Sequence, residues 1–163
     1  TPTTIPGMHH PRIVVFSRAS RGITLLEVLV TTSIIAIIAA LGLPAVRVAR
    51  ARAAVIAVQS AIANLEASLS MYQTDIGDYP FGNGNGCCHL VACLVGPCND
   101  PAWKGPYMRF KEADLDSNGN FLDIWKSPFS YWYPQTMKPT VPFVIISAGP
   151  DKRFGTGDDI GNW

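Results

Sequence analysis

The chain has 163 residues, with 13 Lys and Arg against 12 Asp and Glu, for a formal net charge of +1. So even a balance, with no polybasic run, excludes nucleic acid as the main partner. The length fits one soluble domain of roughly 100 to 120 residues behind an N-terminal leader and anchor, and excludes a second core.

Residues 1–22 carry Arg12, Arg18 and Arg21 and no acidic side chain, so the positive-inside rule holds this end in the cytoplasm and exports the rest. Met8 is an alternative start that would leave Thr1–Gly7 outside the natural chain, and His9 and His10 would be lost with the leader. Residues 23–43 then form an apolar run whose one charge is Glu27. At about 1.5 Å per helical residue, such a run matches a hydrocarbon core of about 30 Å. A carboxylate in that span costs on the order of 2.5–3.5 kcal/mol, so Glu27 asks for a partner or a function. An ordinary secretory signal is cut after its apolar run, whereas the candidate site here lies before it, so cutting would retain the span as an anchor.

The helix is expected to continue over 44–76. Val48, Ala51, Val55, Val58, Ile62, Leu65, Leu69 and Tyr72 recur in three- and four-residue steps, one apolar face opposite Arg47, Arg50, Gln59, Asn64, Glu66 and Gln73. Gly77 and Tyr79-Pro80 end it. The head, 77–163, opens with a Gly-rich loop over 81–106 that holds all four cysteines, Cys87, Cys88, Cys93 and Cys98. Clustered cysteines beyond a membrane span predict an oxidising compartment and two disulfides. Three pairings are possible, and the one joining adjacent Cys87 and Cys88 is disfavoured by its strained ring. A zinc site is the competitor, but adjacent cysteines fit poorly with paired C-x2-C knuckles. His89 in the same loop reads as a loop residue. Strands are expected at Pro106–Phe110, Phe129–Tyr133 and Phe143–Ile146, with prolines marking the turns and the helical stripe as cover.

Two acidic segments follow different logic. The tail carries Asp151, Asp158 and Asp159 among glycines, which suits either a calcium loop of carboxylates and carbonyls or a set of solvated turns. Asp114–Asn120 repeats the first half of an EF-hand loop, but Trp125 stands where the bidentate Glu belongs, and a polar turn is the better reading. No catalytic constellation is visible, so the chain is not expected to be an enzyme.

Basic residues, then Gly22, Ile23, Thr24, Leu25, Leu26, Glu27 and the apolar run resemble the class III signal of type IV pilins and type II secretion pseudopilins. The resemblance extends through Asp75–Pro80, Trp103–Tyr107, Asp123–Tyr131 and the Ser147–Ile160 tail, which are similar to the landmarks of the major-pseudopilin family. Ile124 and Lys126 depart from that family's Asp-Pro-Trp-Gly turn, which leaves the turn less tightly specified. The resemblance implies an α+β pilin-like fold, a long N-terminal helix packed on a small antiparallel sheet. It implies cleavage by a prepilin peptidase between Gly22 and Ile23, N-methylation, and single-pass insertion in the inner membrane with the head in the periplasm. It also implies calcium at Asp151 and Asp158, with Asp159 as a further ligand. The implied role is a structural subunit of a type II secretion pseudopilus. Its partners would be other copies of itself, the membrane, an inner-membrane assembly platform and minor pseudopilins. Glu27 would pair with the N-terminal ammonium of a neighbour's Ile23 and set axial register. The alternatives are a type IV pilin for adhesion, motility or DNA uptake, and a membrane-anchored periplasmic binding domain.

Overall fold

The computed structural model describes residues 22–97 and 100–163. The rest of the leader and Cys98 lie outside the described residues. The chain divides into two compact units, Thr1–Leu43 and Pro44–Trp163. Helix α1 covers Leu25–Ile76, 52 residues, close to the expected Ile23 to about Gln73. In the first unit its large apolar side chains stand exposed, Leu25 at 85%, Leu26 at 71% and Ile38 at 66%. Among the described residues, α1 is the helix long and apolar enough to cross a membrane. Thr31, Thr32 and Ser33 donate their hydroxyls to carbonyls four residues back, at 2.9, 2.9 and 2.7 Å, so these polar groups suit an apolar surrounding.

In the second unit α1 buries one stripe. Val58, Ile62, Leu65, Leu69 and Tyr72 are all buried in the core, whereas Val48 and Ala51, the first two residues of the expected stripe, remain exposed. Each buried aliphatic residue contributes roughly 1.5–3 kcal/mol, so the stripe is a main source of head stability. The helix closes at Gly77, in the left-handed conformation at φ 92°, whose N–H donates to Gln73 O at 2.8 Å.

Opposite lies a four-stranded antiparallel sheet in the order β1 (Gly82–Asn83), β2 (Ser130–Tyr133), β3 (Val144–Ser147), β4 (Ile160–Gly161). Tyr131 pairs with Ile145, and Ser147 with Ile160. Phe129, Tyr131, Phe143, Ile145 and Ile160 meet the α1 stripe in one core. Tyr131 donates its hydroxyl to Pro80 O at 2.8 Å, which satisfies the one polar atom of that buried ring. Asn162 joins helix and sheet: its Nδ2 donates to Glu66 Oε1 and Phe143 O, both at 3.2 Å, while its Oδ1 accepts Ile145 N–H at 3.0 Å.

Two expectations for the head are corrected. The Cys-bearing loop holds a helix, α2 (Cys88–Val95), which buries Leu90, Val91, Cys93 and Leu94. Pro106–Phe110 forms no strand. It lies along α2, with Tyr107 N–H donating to Leu94 O at 2.9 Å and the Tyr107 ring edge-on to Tyr72 and Trp103. Ring packing, rather than a ladder, holds the segment in place.

Candidate functional site

The N-terminal site is built on the first turn of α1. Gly22 and Ile23 precede the helix; nothing crowds Gly22, and Ile23 is 74% exposed, so the peptide bond between them is accessible. Thr24 caps the helix: Glu27 N–H donates to Thr24 Oγ1 at 3.2 Å. This is the Ser/Thr-x-x-Glu spacing of a capping box, a signal present in the sequence and absent from the expectations above. Glu27 thus sits where the positive end of the helix dipole favours an anion. Among the described residues it makes no ion pair.

The tail gathers its three aspartates in one loop. Asp158 Oδ2 accepts Asp151 N–H at 3.2 Å, and Thr156 donates its hydroxyl to Asp158 Oδ1. That hydroxyl holds the Asp158 carboxyl below the usual carboxylate range. Asp151 accepts Arg153 N–H at 2.8 Å, and Asp159 Oδ2 accepts Gly155 N–H at 2.7 Å. Asp159 Oδ1 is buried with no hydrogen-bond partner. An oxygen-only donor set and an orphaned carboxylate oxygen fit a hard cation such as calcium. Among the described residues no three acidic, His or Cys side chains already converge, so backbone oxygens would have to complete the shell.

The half EF-hand is a turn. Asp116 Oδ1 accepts the N–H groups of Asn118 and Asn120, both at 2.8 Å, and its Oδ2 accepts Asn120 Nδ2 at 3.0 Å. These bonds, the Asn120 side chain first, hold the Asp116 carboxyl below its ordinary range. Asn120 Oδ1 in turn accepts Cys87 and Cys88 N–H at 2.8 and 2.9 Å, capping α2 from 33 and 32 residues away.

The cysteines depart from the expected two disulfides, since Cys87 and Cys88 are both free thiols. Cys87 points into the core, where its Sγ accepts Phe121 N–H at 3.2 Å, and burial pushes its pKa up to about 12. Cys88, next along the chain, is exposed. Cys93 is buried, its Sγ 3.9 Å from His89 Nε2, and His89 Nδ1 lies 3.0 Å from Phe81 O.

The turn at Asp123 is bonded from within. Its buried carboxylate accepts Trp125 N–H at 2.9 Å and Ser127 N–H at 2.8 Å on Oδ1, and the Ser147 hydroxyl at 2.7 Å on Oδ2. Lys126 occupies the left-handed region at φ 63°, and its Nζ donates to Ala113 O at 3.0 Å.

Residues 46–163 match the family model for type II secretion system protein G, and residues 17–43 match the prokaryotic N-terminal methylation motif. The chain belongs to the type II secretion system protein G family. This pseudopilin is 32% identical over 149 residues to the type II secretion system core protein G of Pseudomonas aeruginosa, covering 90% of this chain and 96% of that one. To the core protein G of Escherichia coli K12 it is 32% identical over 143 residues, 88% of this chain and 90% of the other. The crystal structure of the major pseudopilin of enterohaemorrhagic Escherichia coli aligns with a TM-score of 0.47 at 27% identity, over 70% of this chain and 86% of that one. As a pseudopilin, the chain is a structural subunit of a type II secretion pseudopilus, with an N-terminal apolar helix suited to membrane anchoring.

Proposed function

We propose that this pseudopilin is cut by a prepilin peptidase between Gly22 and Ile23, inserts once into the inner membrane with its head in the periplasm, and polymerises through the N-terminal part of α1. One observation carries this reading. That segment is apolar and exposed on every side, and it holds a single carboxylate, Glu27, without an ion-pair partner among the described residues. A bundle of copies would bury the apolar surface, and the ammonium of a neighbour's Ile23 would neutralise Glu27 in one axial register. The work is assembly rather than catalysis. An inner-membrane platform and minor pseudopilins would nucleate and drive it. Calcium, held by Asp158 and Asp159 with Asp151 across the loop, would supply charge neutralisation that fastens the tail beside β4.

The test is Glu27→Ala in a secretion-competent host. The variant is expected to be processed, to insert and to keep a folded head, but to form no pseudopili and to support no export. Intact mass should place the mature terminus at Ile23. Normal filaments and secretion from the variant would refute the register role, and a mature chain that retains Arg21 would refute the processing.

A further inference from the structure

We propose that Asn85 is a site of spontaneous backbone modification, converted through a succinimide to aspartate and isoaspartate ahead of every other asparagine in the chain. The reaction needs a backbone amide free to act as nucleophile and a following residue small enough to let it close on the side chain. Three Asn-Gly dipeptides meet the second condition: Asn83-Gly84, Asn85-Gly86 and Asn118-Gly119. The fold separates them by the first. Gly84 N–H donates to Tyr131 O at 2.8 Å, just past the β1 to β2 pairing, and Gly119 N–H donates to Asp116 O at 3.0 Å. Both nucleophiles are thereby tied. Gly86 N–H makes no hydrogen bond among the described residues, and Asn85 is exposed beside a cavity of about 300 Å³ that admits water.

The step balances with water alone. Gly86 N attacks Asn85 Cγ, a C–N bond forms, the bond to the side-chain nitrogen breaks, and ammonia leaves. Water then opens one of the two ring carbonyls. Opening at the side-chain carbonyl gives aspartate, and opening at the main-chain carbonyl gives isoaspartate, with one extra carbon in the backbone. No oxidant, metal or enzyme enters.

The fold also explains why the labile pair cannot be relieved at its second position. Gly86 is left-handed at φ 84°, and a Cβ there would run into the Asn120 carboxamide that caps α2. An alanine at 86 would therefore break the cap. The consequence of conversion is local and directional. Gly86 O accepts Tyr131 N–H at 3.3 Å, and the next two N–H groups are those bound by Asn120. An extra backbone carbon just before them misaligns β2 and the start of α2 together. The new carboxylate also cancels the chain's net charge of +1.

The experiment ages the full chain in detergent at mildly alkaline pH and maps its peptides by mass spectrometry, with enzymatic isoaspartate methylation as the second readout. The Asn85 peptide is expected to convert first and furthest, and Asn85→Gln should abolish that signal without changing the fresh protein's melting. In urea the three dipeptides should convert at similar rates, because the tying hydrogen bonds are gone. Faster conversion at Asn83 or Asn118 in the folded chain, an unmodified Asn85, or the same ranking in urea would each overturn the proposal.

Discussion

Ser147 donates its hydroxyl to Asp123 across 2.7 Å, and both side chains are buried. The bond joins a turn 24 residues earlier in the chain to the central strand β3, while the other oxygen of the same carboxylate shapes the turn from inside. A buried carboxylate is tolerated here because both of its oxygens are occupied.

Ser147→Ala should therefore cost the head about 1–3 kcal/mol, the penalty of stranding one buried oxygen. Urea denaturation checks this, with a lower midpoint and an unchanged slope as the expected result. A midpoint equal to wild type would mean that the hydroxyl is dispensable.

Lys126 should be replaceable with profit at the same turn. A non-glycine residue at φ 63° carries strain of roughly 1–3 kcal/mol, of which glycine's larger unfolded-state entropy returns a part. Lys126→Gly also loses the exposed bond from Nζ to Ala113 O. The net expectation is a modest gain in thermal midpoint, and a fall would show that the lysine contact outweighs the strain.

For the tail, melting the detergent-solubilised chain with calcium or with a chelator measures the linkage. At a hundredfold excess over the dissociation constant the gain is about 2.7 kcal/mol. Asp159→Ala should abolish the rise, since Asp159 holds the orphaned oxygen. Identical melting in both conditions would leave the aspartates as turn residues.

The Asp75 carboxyl is held below its ordinary range first by the Tyr107 hydroxyl and then by Lys104, with bonds of 2.9 and 3.2 Å. A lowered folded value means that the contact stabilises fully above the ordinary aspartate range and is lost as the pH falls through the folded value. Tyr107→Phe removes the larger cause, so its acid unfolding, followed by tryptophan fluorescence, should begin at a higher pH than in wild type. Superimposable acid limbs would contradict this.

What could be read from the chain alone depended on how local the cause was. The apolar span and the stripe from Val58 to Tyr72 repeat at helical spacing, so their faces were legible without any partner. Helix α2 was not, because its N-terminus is capped by Asn120 from another segment and its surroundings are rich in glycine. Strands β1 and β4 are two residues each, too short to show alternation. The aromatic residues of Pro106–Phe110 suggested a strand, yet the Tyr107 ring is spent on Tyr72 and Trp103 and the Phe110 ring on Phe121. At the tail the acidic positions were visible, but the isolation of Asp159 Oδ1 appears only when the loop closes over it.

The buried Cys87 bears on how a filament of identical copies ages. With its pKa near 12, the thiolate fraction at neutral pH is about one in 100,000, and the thiolate is the form that attacks oxidants and disulfides. Subunits packed side by side therefore hold this sulfur in an inert form and are not stitched into irreversible cross-links through it. Among the described cysteines, Cys88, one residue along and open to solvent, is left as the position where a redox reagent would register first.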